Sequence, residues 1–171
     1  GELLEYAAKL IEQDKIEEAE KVYSAILAGE PDNSAARIGL ARLMILNNED
    51  ASAVKLLNAI SEMDPRYHEA QSLLNLFEFV KISEENGGLE KWTVAVENNP
   101  DDLEARYMLG CCHAANNLFR EAFEMFFFIV KKDRAFGDGK ARQAMITLFN
   151  VLGPENDLTA EYRKRLALEL F

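Results

Sequence analysis

Apolar side chains recur every three or four residues along almost the entire chain, which is the spacing of amphipathic α-helices. No segment alternates between apolar and polar side chains as a half-buried strand does. The helices predicted by this pattern span residues 2–13, 16–29, 33–47, 50–63, 67–84, 89–98, 102–116, 118–132, 138–152 and 158–170. The fold class predicted from periodicity is therefore all-α.

The breaks between these helices are short and rich in Asn and Asp. They include Gln13-Asp14-Lys15, Asn47-Asn48 and Asn116-Asn117. Asn and Asp tolerate left-handed backbone and cap helix starts. For the same reason we expect Asp32, Asp101 and Asp157 to start helices. Such short connections require consecutive helices to lie beside each other in antiparallel directions.

One helix, 118–132, has more apolar side chains than a single buried face can hold. Its apolar residues form two neighbouring faces, and both can be buried between flanking helices. Phe128 falls instead on the polar side of the helix, with Glu121 and Glu124. Its ring is either covered by the helix at 138–152 or exposed as an apolar contact.

Three prolines divide the helical pattern at a nearly constant interval. Pro31, Pro65 and Pro100 are 34 and 35 positions apart, and each follows an acidic residue or an Asn. Small residues recur ten and twenty-two positions after Pro31 and Pro100, and a bulky residue comes four positions after the second small residue of each repeat. The small residues are Ala41, Ala53, Gly110 and Ala122, and the bulky ones are Leu57 and Phe126. Small residues at such positions let two helices pack closely.

A 34-residue unit of two helices resembles the tetratricopeptide repeat (TPR), whose units stack into a solenoid. We therefore expect four TPR-like helix pairs in residues 1–133. The third pair departs from the pattern, because Gly87-Gly88 stands where its second helix would begin, and we expect that helix to be short. Residues 134–171 lack the proline phrase, and we expect their two helices to pack on the array as a C-terminal cap. The predicted architecture is a right-handed α-solenoid of helix hairpins with a capping pair.

The C-terminal part of the chain resembles a narrower group. The segments that carry this resemblance are Lys132-Asp133-Arg134, Asp138-Gly139, Ala141-Arg142, Leu148-Phe149, Leu152-Gly153-Pro154, Leu158-Thr159, Glu161-Tyr162-Arg163-Lys164-Arg165-Leu166 and Leu170-Phe171. They are similar to the tail of the bacterial thioredoxin-fused TPR co-chaperones, the YbbN or CnoX family. The resemblance implies a co-chaperone or holdase-like module that hands unfolded clients to a chaperonin or an Hsp70-type chaperone. Members of that family begin with a thioredoxin-like domain. We expect that domain to be absent from this sequence, and we carry over no redox activity.

Composition and charge narrow the classes of partner. The 171 residues are 49% apolar and 29% charged, as in soluble folded proteins. The net charge is −11, yet residues 131–171 carry eight basic and six acidic side chains, so the acidic excess lies in the first 130 residues. An acidic body argues against nucleic acid as a partner, because phosphates require a basic footprint. No apolar run reaches the roughly 20 residues of a membrane span, so we expect no membrane partner.

Cys111-Cys112-His113 is the one cluster that could carry chemistry. Adjacent side chains on a helix diverge by about 100°, so these three cannot converge on one metal ion. Adjacent helical cysteines cannot form an unstrained disulfide either, and two free cysteines suit a cytoplasmic protein. His68 and His113 lie in separate repeats, and the chain has no Ser-His-Asp order, phosphate loop or metal motif. We therefore expect no enzymatic activity, no metal and no cofactor.

Two surfaces are candidates for binding a protein partner. In TPR arrays the first helix of each pair lines a concave groove, and the matching offsets here select Ile38, Arg42, Ile45, Leu76, Phe79 and Tyr107. TPR adaptors of Hsp70 and Hsp90 place Lys and Asn in this groove to clamp a terminal carboxylate, and this chain lacks them. An apolar groove suits an apolar helix or an unfolded segment. The groove is either open to such a partner or filled by the chain's own helices.

The second surface is the last helix, which by the resemblance would contact a chaperone through Tyr162, Arg163, Arg165 and Phe171. The predicted function is a protein–protein interaction module, of the co-chaperone or holdase-like kind, acting as a monomer or weak dimer. The alternative is a structural scaffold that binds its own copies and no client. These two functions differ in whether the mass of the particle rises with concentration.

Overall fold

The computed structural model describes residues 1–171 and contains only helices and turns. The ten α-helices are α1 (Glu2–Glu12), α2 (Ile16–Gly29), α3 (Ser34–Leu46), α4 (Asp50–Asn58), α5 (Tyr67–Glu85), α6 (Gly88–Asn98), α7 (Leu103–Ala115), α8 (Phe119–Lys132), α9 (Lys140–Leu152) and α10 (Asp157–Leu170). A short 3-10 segment, Phe136–Gly139, precedes α9. The prediction of an all-α fold is confirmed. None of the helices is both long enough and apolar enough to cross a membrane.

Three of the turns between paired helices share one backbone conformation. Asp14, Asn48 and Asn117 have φ angles of 60°, 61° and 57°. In each turn the next amide donates to the carbonyl five residues earlier: Lys15 to Leu10 at 2.8 Å, Glu49 to Met44 at 2.8 Å, and Leu118 to His113 at 2.9 Å. Such a bond ends an α-helix at a residue whose backbone is in the left-handed region. Asp and Asn adopt that backbone more readily than most residues, so the predicted breaks lie where the sequence placed them.

The turn of the third pair is different. α5 is 19 residues long, and two glycines with positive φ follow it, Gly87 at 99° and Gly88 at 76°. The indole N–H of Trp92 donates to the carbonyl of Asn86 at 3.0 Å and so ties α6 to this turn. α6 has 11 residues. A later and glycine-based turn therefore replaces the Asp/Asn turn of the other pairs.

The helix caps that follow two of the prolines lie one residue beyond the predicted positions. Asn33 and Asp102, rather than Asp32 and Asp101, are the N-caps of α3 and α7. Their side chains accept from the amides of Ala36 and Ala105, each at 3.0 Å. An N-cap residue has extended backbone, and its side chain accepts from the amide three residues later. Asn33 and Asp102 meet both conditions, and each lies two residues after its proline. Asp32 instead pairs with Arg37 at 3.1 Å.

α4 is shorter than the predicted helix at 50–63, because it ends at Asn58. The residues that follow form local turns in which side chains bind the backbone. Ser61 Oγ accepts from the amide of Met63 at 3.2 Å, and Asp64 accepts from the amide of Arg66 at 2.7 Å. Such bonds compete with helix formation. The prediction of the long helix was therefore wrong at its C-terminal end.

The chain forms two compact units, and each has its own core. The first comprises Gly1–Leu74 and Val151–Asn156, and the second comprises Asn75–Asn150 and Asp157–Phe171. In the first unit α1 packs on α2, α2 on α3 and α3 on α4. One buried cluster of this unit consists of Ala7, Leu10, Ala19, Tyr23, Ile26, Ala36, Leu40 and Leu43. The division into an array at 1–133 and a cap at 134–171 follows the sequence repeats and stays a prediction.

The core of the second unit is built around α8. Seven of its side chains are buried, and they belong to both of the predicted apolar faces: Phe119, Ala122, Phe123, Phe126, Phe127, Ile129 and Val130. The ring of Phe123 stacks on Tyr162 of α10, with centroids 4.5 Å apart, and on Phe149 of α9 at 5.3 Å. Phe128 is half-buried, and the guanidinium of Arg106 covers its ring at 3.5 Å. The aromatic stack is what holds α10 in this unit.

Candidate functional site

Four of the predicted groove residues lie in the protein interior. Ile38 and Ile45 on α3 are each 1% exposed, and Leu76 and Phe79 on α5 are 3% and 6% exposed. Phe79 packs on Phe126, with ring centroids 5.9 Å apart. The chain's own side chains therefore cover these four residues, as one of the two alternatives anticipated. Their role in binding a partner stays a prediction, and it would require helices to move apart.

Arg42, the charged residue of the predicted groove, is engaged within the first unit. Its guanidinium pairs with Glu69 at 2.6 Å, and Glu69 also pairs with Arg66 at 2.9 Å. Both partners of the shorter pair are mostly buried, with 17% and 24% of their side chains exposed. Gly153 lies beside the same guanidinium, and a Cβ at this position would be in ordinary van der Waals contact with Cζ of Arg42 at 3.5 Å. Arg42 thus links α3 to α5 and to the segment after α9.

Tyr107 is half-buried beside the cysteine pair. Its hydroxyl and the thiol of Cys111 are hydrogen-bond partners, and Lys140 Nζ lies 4.1 Å from the centre of its ring. Burial raises the pKa of the Cys111 thiol to about 12, although the hydrogen bond from Tyr107 acts in the opposite direction. Burial also raises the pKa of Cys112, against a hydrogen bond from Ser83. Thiols in this state are protonated and poorly nucleophilic at neutral pH.

His113 does not complete a metal site with these cysteines. Burial lowers the pKa of its imidazole, and Nδ1 is buried without a hydrogen-bond partner. Both cysteines are free and buried. No group of three His, Cys, Asp or Glu side chains lies close enough together to hold a metal ion.

The predicted residues on α10 divide between two faces of that helix. Tyr162 is fully buried, and its hydroxyl donates to Oε1 of Glu124 on α8. Arg165 pairs with the same oxygen at 2.7 Å and lies 3.8 Å from Glu161, which Arg120 also contacts at 3.1 Å. Burial opposes the ionisation of Glu124, but the hydrogen bonds from Arg165 and Tyr162 outweigh it and lower the pKa of this carboxyl. Tyr162 and Arg165 therefore dock α10 on α8.

Arg163 and Phe171 lie on the opposite, exposed face of α10. The exposed residues of this face, which we name the α10 stripe, are Ala160, Arg163, Lys164, Ala167, Leu168 and Phe171. Leu168 is 74% exposed and Phe171 fully exposed. Sequence reasoning missed Lys164 and Leu168, although they follow Ala160 at steps of four residues and could have been found on a helical wheel. The stripe is basic toward its start and apolar toward its end.

Apolar pairs of this kind are rare on the surface. Eight large apolar side chains are exposed: Leu3, Tyr6, Leu46, Met63, Val94, Leu118, Leu168 and Phe171. Only two pairs are three residues apart, Leu3 with Tyr6 on α1, and Leu168 of α10 with Phe171, which directly follows that helix. Scattered exposed apolar residues are normal, whereas neighbouring ones mark contact surfaces. The α10 stripe is therefore the best candidate site among the predicted residues.

Comparisons with known proteins agree with the repeat pattern. Residues 82–171 and residues 10–76 match two family models, each described as "Tetratricopeptide repeat". Among solved structures, a domain of protein VP0806 from Vibrio parahaemolyticus, of unknown function, shares 22% identity with a TM-score of 0.45, covering 99% of this chain and 98% of that one. YrrB, a TPR protein with an unusual peptide-binding site, shares 17% identity with a TM-score of 0.40, covering 95% and 90%. No curated protein matches the sequence.

Proposed function

The chain belongs to the tetratricopeptide-repeat family, and on that premise we propose that it is a co-chaperone module that binds unfolded polypeptides and a partner chaperone. TPR domains are in general protein–protein interaction modules. The observation that carries the proposal is the α10 stripe, which presents two cationic and two large apolar side chains on one exposed helix face. The resemblance of residues 132–171 to the thioredoxin-fused co-chaperones supports the choice of partner, a chaperonin or an Hsp70-type chaperone.

The chemistry of the stripe fits an apolar partner segment with some acidic side chains. Leu168 and Phe171 offer apolar area that a partner can remove from water, at about 25 cal/mol for each Å². Arg163 and Lys164 would steer an acidic partner and set its orientation. The apolar part of such a contact persists when salt is raised, because burial is not screened, while the charged part weakens. The free and buried state of both cysteines suits a reducing compartment, which supports a cytoplasmic site of action.

The test changes the stripe without disturbing the core. A chain cut before Leu158 would lose Tyr162 from its stack on Phe123, so loss of binding could come from unfolding. The variant Leu168→Asp with Phe171→Asp alters only exposed side chains. Val94→Asp is the matched control, because Val94 is the one exposed large apolar residue of α6, with 48% of its surface exposed.

Two measurements are made on each purified protein. One is the suppression of aggregation of a chemically denatured client, and the other is the affinity for purified chaperonin and purified Hsp70-type chaperone by calorimetry. We expect the stripe variant to lose at least one of these activities while Val94→Asp retains both. If the stripe variant matches the wild type in every assay, the co-chaperone proposal fails.

A further inference from the structure

We propose that the α10 stripe of one molecule docks on an acidic, apolar face of α1 and α2 in a second molecule, so that copies of this chain associate head to tail. This goes beyond the proposed function, because the partner is the chain itself and the receiving face lies on the first unit. The receiving face, here named the α1 face, consists of Glu2, Leu3, Glu5, Tyr6 and Glu30.

The α1 face has the apolar area that such a contact needs. Leu3 and Tyr6 are 56% and 50% exposed, and they are the second of the two exposed apolar pairs that are three residues apart. Beside Leu3 lies a groove of about 380 Å³, which is within the size range of pockets that bury a ligand. It is lined by Gly1, Glu2, Leu3, Leu4, Ala25, Ile26, Gly29, Glu30 and Asn33. The groove is open at Gly29, because a Cβ at that position would have no atom within 4 Å.

The charges of the two faces are complementary. Glu2 and Glu30 line the groove, Glu5 precedes Tyr6 on α1, and all three residues are exposed. On the α10 stripe the charged side chains are Arg163 and Lys164, and no acidic residue belongs to the stripe. Contact between unlike faces therefore brings opposite charges together around an apolar centre. Contact between two copies of one face would place like charges together, which is unfavourable.

The two faces also match in form. The stripe extends from Ala160 to Phe171, about 17 Å at 1.5 Å per residue. On the α1 face Leu3 and Tyr6 are three residues apart, which is the spacing of Leu168 and Phe171 on the stripe. The amide of Phe171 donates to the carbonyl of Ala167 at 3.1 Å, which keeps Phe171 in helical register with Leu168. An association between different surfaces of identical chains is heterologous and leaves one free face at each end.

The test uses two charge-reversal variants that each disable one face. Glu2→Lys with Glu30→Lys reverses the α1 face, and Arg163→Glu with Lys164→Glu reverses the α10 stripe. The control is Glu17→Lys with Glu18→Lys, which makes the same change of charge on two exposed residues at the start of α2. Because Glu2 lies in the first turn of α1, where an acidic side chain is favourable, Tyr6→Ser provides a second α1-face variant without a charge change. Circular dichroism establishes that each variant is folded.

Sedimentation velocity over a wide concentration range at low salt reports the association. We expect the wild type and the control to gain mass with concentration, and the three face variants to raise the dissociation constant about tenfold or more. An equimolar mixture of the two charge-reversal variants should recover association, because the intact stripe of one meets the intact α1 face of the other and the two reversed faces are again opposite in charge. A chain that carries all four reversals should recover self-association, since its charges are again complementary.

Three results would each overturn this inference: a wild type that stays monomeric at every concentration, face variants that associate like the wild type, or a mixture that does not associate. The proposed function is tested separately by the same proteins. The α1-face variants leave the α10 stripe intact and free it from the second copy, so their suppression of aggregation and their chaperone affinity should equal or exceed those of the wild type. If the α1-face variants lose self-association and retain both activities, the self-association proposal and the co-chaperone proposal have been tested independently.

Discussion

Gly110 and Gly39 each face an aromatic ring of the preceding or following helix at close range. A Cβ at Gly110 would lie 2.6 Å from Cε1 of Phe126, and a Cβ at Gly39 would collide with the ring of Tyr23. Phe126 is fully buried and packs against Phe79 and Tyr107 at centroid distances of 5.9 and 5.6 Å. The ring therefore has little room to retreat, and glycine at 110 is required by packing rather than by backbone conformation.

Replacement of this glycine should weaken the second unit. We expect Gly110→Ala to destabilise the protein by up to about 2 kcal/mol, because the preference of a helix for Ala over Gly, about 1 kcal/mol, offsets only part of an overpacking cost of about 1–3 kcal/mol. Gly29→Ala is the control, since it ends α2 and its added Cβ would meet nothing within 4 Å. The measurement is the urea midpoint by circular dichroism. A midpoint for Gly110→Ala equal to or above that of the control would contradict this account of the packing.

At the scale of single elements, α10 is held by a small number of specific contacts. Phe123 stacks on Tyr162 with an angle of 12° between the rings. The carboxylate of Glu124 accepts hydrogen bonds from Tyr162 and Arg165. Arg120 and Glu161 form a further pair between the same two helices at 3.1 Å. These contacts decide which side of α10 is buried, and so they decide that Arg163, Lys164, Leu168 and Phe171 face outward.

The Glu124 contacts predict a pH dependence of the docking of α10. The pKa of Glu124 is lowered below its ordinary value of 4.5, so the folded state favours the ionised carboxylate. Its contribution is fully present above pH 4.5 and is lost as the pH falls through the lowered folded value. We expect the wild type to be more stable than Glu124→Gln at pH 7, with a difference that shrinks as the pH falls below 4.5.

The urea midpoints of both proteins are compared from neutral to acidic pH. Glu5→Gln serves as the control, because Glu5 is an exposed residue of α1 that lies far in sequence from this network. A difference between wild type and Glu124→Gln that stays constant down to pH 3 would show that ionisation of Glu124 does not support the docking.

At the scale of the whole molecule, the thiols report on the opening of the second unit. Cys111 and Cys112 are 0% and 1% exposed, and burial raises the pKa of both. A disulfide reagent requires both access and a thiolate. Neither is available while α7 stays packed against its neighbours, so reaction requires local or global unfolding.

We expect both thiols to react slowly with a chromogenic disulfide reagent at neutral pH in the native protein and rapidly in concentrated guanidinium. The native rate should rise with urea as unfolding transiently exposes the cysteines. The released thiolate is followed by absorbance. Stoichiometric labelling of the native protein at the rate of a free thiol would mean that this part of the core is open in solution.

Much of the fold could be predicted from local signals. The turns at Asp14, Asn48 and Asn117 lie where polar residues capable of left-handed backbone interrupt an apolar period, and this information is contained within a few residues. Errors arose where local signals compete. The end of α4 depends on Ser61 and Asp64, whose side chains accept from the amides of Met63 and Arg66 on either side of Pro65. The helix period alone does not contain that choice.

The sequence by itself determined the number and class of helices, the spacing of the repeats and the family, because periodicity and turn chemistry act between near neighbours along the chain. Tertiary structure decided which positions are accessible. Repeat offsets selected Ile45 and Phe79 as equivalent positions, but burial of their side chains depends on helices that lie elsewhere in the sequence. α10 likewise has apolar residues on two sides, Tyr162 and Leu166 on one and Leu168 and Phe171 on the other. Only the aromatic face that α8 presents selects the first side for the core and leaves the second exposed.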